Sequence, residues 1–338
     1  MIFPKFLKKG DLIGVTAPSY GITDPVEQKR FKNGAKNLGE RGYSVKFTDN
    51  VFTADETGLS SDAKTRAGQF MELVTDGDVS AIISAAGGNF LMEMLPFVDF
   101  DAVKKNPKWI QGYSDNTALL YAVTTICDVA TVYGNHFGDF GMETWERPVE
   151  SALGVLEGKV RVQQSFDFYE DEWRKRETGL EGYAKDKPVK WVNARGEDEI
   201  KISGRLIGGC FDIIAMAIAG TKFDGTLDFI ERYGNDGICW YLESFDINVE
   251  EMVLHLWRLK EAGYFRHASG FIFGRPLFKN AGVEMTYEQA VMRVLADLDV
   301  PVIFDADIGH KGPQFSMVNG ALCDIVSCGG RGSVTLRF

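Results

Sequence analysis

A serine that attacks a carbonyl needs a turn that projects its hydroxyl, donors for the oxyanion it creates, and a base. The segment KWIQGYSDNTALLY, residues 108–121, offers the first of these: an apolar run, then Gly112-Tyr113-Ser114-Asp115, then an amphipathic stretch. Read as strand, sharp turn and helix, it sets Ser114 at the C-terminal edge of a sheet. The helix N-terminus there offers backbone N–H groups and a positive dipole to developing negative charge. The segment matches the first half of a G-x-S-x-G elbow, with Asn116 where the second Gly would stand. Taken alone, the same residues also read as an ordinary helix N-cap, where Ser and Asp are common.

A second segment, AIISAAGGN (81–89), is an apolar strand ending in Gly87-Gly88, which lets the backbone approach a ligand and present N–H groups. With the Asp115 amide, the amide of Gly88, or of Gly87, can form an oxyanion hole; alone, the pair is only a tight loop. The chain has four histidines to serve as base. His255 falls inside an amphipathic helical stretch and His267 in the polar turn after it. His136, in GNHFG, follows a strand at the same sheet edge as Ser114 and can contact substrate. His310 ends the strand-like IFDADIGHKGP in a Gly-flanked loop. Position leaves both His310 and His136 open as the base. The run ICWYLE ends in Glu243, a carboxylate at a strand end suited to orient an imidazole, or else a solvated residue opening the next loop.

These residues need strands and helices to position them. Strand patterns near 12–17, 43–47, 81–84, 109–112 and 130–133 alternate with helical stretches. The first helix is opened by Asp24-Pro25, a cap followed by a first-turn proline, and reaches about Gly39; others fall near 61–75 and 115–127. That alternation predicts a mainly parallel sheet covered on both faces. From about Glu143 to Asp198 the chain becomes dense in charge without a sustained period. Strands resume near 200–206, 237–242, 269–273 and 301–304, with two more near the C-terminus, and helices near 210–219, 249–262 and 286–298. Asn248 and Glu251 approach a capping box. The expected division is an N-terminal α/β domain over 1–160 carrying the nucleophile, a connector and substrate loop over 161–198, and a C-terminal β/α domain over 199–338 carrying acid and base.

Composition narrows the function. The net charge of −11, from 37 Lys plus Arg against 48 Asp plus Glu, would repel a phosphate backbone or an anionic membrane surface. Nucleic acid and membrane are therefore not expected partners. The N-terminal residues show no signal-peptide pattern and no apolar stretch is long enough to span a bilayer, so a cytoplasmic protein is expected. The five cysteines are odd in number and lack a C-x-x-C pair, which reads as buried reduced thiols; Cys210, after Gly208-Gly209, is the one to check for reactivity.

In their order, several blocks resemble the LD-carboxypeptidases, a family of serine peptidases, and are similar to its microcin C immunity branch. They are KGDLIGVTAPS (9–19), Gly87-Gly88, Gly112-Tyr-Ser-Asp115, GRLIGG (204–209), Leu242-Glu243, GFIFGR (270–275) and Gly309-His310. The resemblance implies an α/β fold, with an N-terminal flavodoxin-like, mainly parallel sheet domain and a C-terminal mixed β/α domain. It implies Ser114 as nucleophile, His310 as base, Glu243 as orienting acid, and Gly88 and Asp115 as oxyanion-hole amides. It also implies a metal-free, cofactor-free mechanism and a homodimer. Many family members carry Arg-Gly-Gly-Tyr-Gly where this chain has Ala86-Gly-Gly-Asn-Phe90, so any substrate contact made by that arginine is missing here.

The expected activity is hydrolysis of an amide bond near the C-terminus of a small peptide or an aminoacyl-nucleotide, with murein tetrapeptide cleavage as the alternative. The competing classes are a two-domain protein that grips a small ligand without chemistry, and a metallohydrolase, against which H-E-x-x-H is absent. Trp191, in KPVKW, matches a similar tryptophan of the immunity branch that stacks on a nucleotide base. It is the candidate stacking platform, with packing inside its own domain as the alternative and Trp173 as a second candidate.

Overall fold

The computed structural model describes residues 1–172, 174–278 and 282–338. The chain divides into two compact units: residues 1–160 with 174–182, and residues 161–173 with 183–338.

In the first unit, five strands run parallel: β1 (Leu12–Thr16), β2 (Ser44–Phe47), β3 (Val79–Ser84), β4 (Trp109–Gly112) and β5 (Thr131–Tyr133). Their spatial order is β2-β1-β3-β4-β5, the flavodoxin-like order. β4 and β5 are buried throughout, as strands covered on both faces should be. Between strands lie α1 (Pro25–Glu40), α2 (Ala63–Thr75), α3 (Phe100–Lys105) and α4 (Thr117–Cys127), and α5 (Arg147–Leu156) follows β5. Asp24 caps α1 by accepting the Val26 amide at 2.7 Å, with Pro25 in the first turn. Every residue of α4 except Ile126 is buried, so the helix behind Ser114 is a core element rather than an amphipathic surface one. Neighbours β1 and β3 send the chain to opposite sides of the sheet. The loops beyond their C-terminal ends flank the switch point where open α/β sheets bind ligands.

The second unit holds an eight-stranded mixed sheet. Its centre is β10 (Glu199–Cys210), β11 (Ile238–Glu243), β12 (Ala268–Gly274) and β13 (Val302–Ala306), all parallel. Antiparallel to β10 runs β15 (Leu322–Cys328), then β16 (Arg331–Arg337) and the edge strand β6 (Val162–Gln164). The other edge is β9 (Val192–Asn193) against β13. A separate two-stranded pair joins β7 (Phe168–Tyr169) to β8 (Lys187–Pro188), and β14 (Met317–Asn319) precedes β15. The helical elements are α6 (Phe211–Ile213), α7 (Thr226–Arg232), α8 (Val249–Glu261) and α9 (Tyr287–Leu295). The Asn248–Glu251 capping box forms as expected, and Thr286 with Gln289 makes a second one at α9.

Two expectations change. The stretch 161–198 is divided between the units: its ends supply β6 and β7 and then β8 and β9, while residues 174–182 go with the first unit. There the Arg30 guanidinium donates to the carbonyls of Gly179 and Glu181, each at 2.9 Å. Strands of two or three residues leave no alternation to read. The helix expected near 210–219 is one α turn followed by a π turn, Ile214–Ile218, because β10 continues to Cys210.

Candidate active site

β4 delivers the chain into Tyr113 and Ser114, and Ser114 adopts φ +64°, a left-handed conformation costly for a residue with a Cβ. Hydrogen bonds hold it there. The Ser114 amide donates to the Tyr133 hydroxyl at 3.2 Å. Asn116, which replaces the second elbow glycine, sends its Nδ2 to the carbonyls of Ala86 (2.9 Å) and Tyr113 (3.1 Å). His136 is buried and stacked on Tyr113, with centroids 4.1 Å apart. Its Nε2 lies 3.1 Å from the Tyr113 amide, the Tyr113 carbonyl and the Asn116 Nδ2, so the ring is tied to both ends of the turn. The geometry thus gives His136 a place in bracing the turn beside Ser114.

The glycine pair lies against this turn. A Cβ on Gly87 would sit 2.9 Å from Ser114 Cβ and 3.1 Å from its Oγ, so only glycine lets this backbone pass the hydroxyl so closely. Asp115 turns its side chain away into the protein, 2% exposed. There it accepts a short hydrogen bond from the Ser19 hydroxyl. Burial pushes its carboxyl up to about 6, against the Ser19 bond, the amides of Leu91 and Gly88, and the Arg66 charge, all of which favour the anion. The Gly88 amide also acts on the Asp115 carboxylate. Fully buried Arg66 ties the same loops together, donating to the carbonyls of Pro18 (3.0 Å) and Phe90 (3.1 Å) and pairing with Glu93 at 3.0 Å.

In the second unit, Glu243 ends β11 with no exposed surface, and its Oε2 lies 2.8 Å from His310 Nδ1. This pairing fixes the orientation of the ring. Gly309, at φ +96°, lies so close to the Glu243 carboxylate that a Cβ there would collide with it. The loop leading to His310 is held by a buried network centred on Asp307. Its Oδ1 meets Arg275 Nη2 at 2.7 Å, and its Oδ2 accepts the Phe166 amide (3.2 Å) and Trp191 Nε1 (3.0 Å). Arg275 also donates to the Asp305 carbonyl at 2.7 Å and lies over the Tyr169 ring. Asp307 gave no signal in the sequence; Arg275 lay inside a block that carried the resemblance.

Trp191 is not an exposed platform. It is 2% exposed, bonded to Asp307 and packed near Phe315, which is the packing alternative. Trp173 lies outside the described residues. Cys210 is buried, and burial, with the charges of Glu243 and Asp212, pushes its thiol well above the usual range, so it is no nucleophile. Cys328, expected buried, is exposed where β15 meets its hairpin turn. Among the described residues no group of three His, Cys, Asp or Glu side chains is placed to hold a metal ion.

Residues 13–134 match the model of the LD-carboxypeptidase N-terminal domain, and residues 203–325 that of the LD-carboxypeptidase C-terminal domain. The chain belongs to the LD-carboxypeptidase family. It is accordingly a serine hydrolase of the carboxypeptidase type. Among its LD-carboxypeptidase relatives, the microcin C7 self-immunity protein MccF of Escherichia coli is 27% identical over 93% of this chain and 90% of its own length. The probable murein peptide carboxypeptidase of Bacillus subtilis is 24% identical over 94% of this chain and 89% of its own. In fold, the chain matches an MccF-like protein from Bacillus anthracis with a TM-score of 0.82 at 24% identity, covering 99% of each chain. It also matches MccF in complex with aspartyl sulfamoyl adenosine, at TM-score 0.78 and 24% identity, over 100% of this chain and 99% of the other.

Proposed function

We propose that Ser114 is the nucleophile, His310 the general base and Glu243 its orienting acid in hydrolysis of an amide bond of an aminoacyl-nucleotide or small peptide. The observation that carries this reading is the 2.8 Å hydrogen bond between buried Glu243 and His310 Nδ1, the contact an orienting acid makes with the ring of a general base. His310 Nε2 takes the Ser114 proton as Oγ bonds to the carbonyl carbon, and the oxyanion takes donors from the Asp115 amide and from that of Gly88 or Gly87. The C–N bond then breaks, and the same proton passes from His310 to the leaving amine. Water, deprotonated in turn by His310, cleaves the acyl-Ser114 ester and restores the hydroxyl.

The nucleotide half of the reading draws on the likeness to MccF, whose complex holds an aminoacyl nucleoside analogue. The burial of Trp191 favours the second reading, a murein tetrapeptide substrate, because the expected stacking surface is occupied by its own domain. In either case we place the enzyme in the cytoplasm, and we read it as a homodimer because the family resemblance implies one. Light scattering at micromolar concentration checks the dimer. No helix among the described residues is long and apolar enough to cross a membrane.

Steady-state kinetics on aspartyl sulfamoyl adenosine and a murein tetrapeptide, each with and without chelator, test the proposal. We expect cleavage of at least one, unaffected by chelator. Activity lost to chelator and restored by zinc would overturn it.

A further inference from the structure

The Glu243–His310 pair is flanked by an aromatic corner. The Phe245 ring lies 4.9 Å, centroid to centroid, from His310, and Phe278 meets Phe245 at 5.4 Å and 86°. The backbone beneath these rings is laced together. Buried Asp212 accepts three successive amides, from Phe245 (3.1 Å), Asp246 (2.9 Å) and Ile247 (3.1 Å). The Leu277 amide donates to the Ser244 carbonyl at 3.0 Å and the Phe278 amide to the Phe245 carbonyl at 3.1 Å. Even so, Phe278 remains 43% exposed and Phe245 half-buried. A lone exposed phenylalanine requires no explanation. One that meets a second ring at 86°, on backbones hydrogen-bonded to each other and beside the proposed base His310, offers a built aromatic corner.

Because Glu243 holds Nδ1, the proton that leaves His310 Nε2 goes to the departing nitrogen, and the groups carried past the His310 ring are those attached to that nitrogen. We propose that Phe245 and Phe278 form the leaving-group subsite and take an aromatic ring carried on the amine half of the cleaved amide. This deepens the function proposed above and rests on His310 as its base. An alanine leaving group offers one methyl, too small to meet both rings. A nucleobase or an aromatic side chain enters such a corner stacked on one ring and edge-on to the other.

The test uses three substrates with one acyl half and different leaving groups: alanine, phenylalanine and sulfamoyl adenosine. The wild-type enzyme should show kcat/KM about tenfold or more higher for at least one ring-bearing substrate than for the alanine one. Phe278→Ala should shrink that preference by about tenfold, mainly through KM, and Phe278→Tyr should keep it. Which ring-bearing substrate loses more tells an amino-acid ring from a nucleobase. Equal kcat/KM on all three, or an equal loss on all three in Phe278→Ala, overturns the subsite and makes the rings a mere shield over the acid–base pair. If Ser114 is labelled by a phosphonate and the ring preference is absent, the subsite alone fails. No cleavage together with no labelling overturns both.

Discussion

The turn at Ser114 and the loop at His310 are held by different means. Ser114 sits in a disfavoured backbone conformation, φ +64°, kept there by Tyr133, Asn116 and His136 around it. Glu243 and His310 rely on burial instead, with a carboxylate sealed from water and a loop fastened through the Asp307 network. Strain places a hydroxyl where a relaxed turn would not. Burial strengthens one hydrogen bond and keeps one tautomer. The first region should therefore be sensitive to added atoms, the second to lost partners.

Removing the reacting groups should have the largest effect and should spare both scaffolds. Ser114→Ala and His310→Ala should each lower kcat by roughly four to six orders of magnitude, and Glu243→Gln by somewhat less, with unchanged circular dichroism. A Ser114→Ala enzyme keeping a tenth of wild-type turnover would end the triad account.

Next in size is a lost partner in the second region. Trp191→Ala leaves a cavity and removes a bond to Asp307, and should cost about 3–5 kcal/mol in denaturant unfolding. Its KM should change alike on nucleotide and peptide substrates. A selective rise in KM for the nucleotide, with normal stability, would restore the stacking role.

An added atom tests the first region. Gly87→Ala should lower kcat by about two orders of magnitude with little change in KM or melting temperature, because its Cβ crowds Ser114 where the tetrahedral centre forms. A large fall in melting temperature with normal kcat would show instead that the glycine serves folding.

The smallest effect concerns Asp115, whose carboxyl is raised by burial from 3.8 to about 6. Between those values the folded state binds the proton more tightly than the unfolded state, so the group's contribution to stability falls as pH rises through the window and is level above it. Asp115→Asn lacks this loss. Relative to wild type, the variant should gain up to about 2–3 kcal/mol between pH 4 and pH 7 in denaturant titrations. A difference that stays constant with pH would mean that the carboxylate is ionised throughout.

The contrast also explains what could be read in advance. The β4–turn–α4 unit was legible because an apolar run, a glycine and a helical stretch follow one another within residues 108–121. Asp24 and Asn248 announced their helices because capping is a local pattern. Asp307 and Asp212 were not legible, since the groups they hold lie far along the chain, at residues 166, 191 and 275 for the first and 245–247 for the second. Trp191 shows the same limit. A tryptophan among charged residues looks exposed, and only the distant Asp307, Phe315 and Gly332 show that it is enclosed. Asn116 was visible only as a defect in a motif, while the structure gives it the bonds that hold the turn.

The most direct test of the central claim is covalent. The protein would be treated with a fluorophosphonate in the presence of excess chelator and digested, and the modified peptide identified by mass spectrometry. The account predicts a single adduct on Ser114, formed much more slowly in His310→Ala and absent in Ser114→Ala. Labelling at another residue, or none on Ser114 in an enzyme that is turning over substrate, would contradict it.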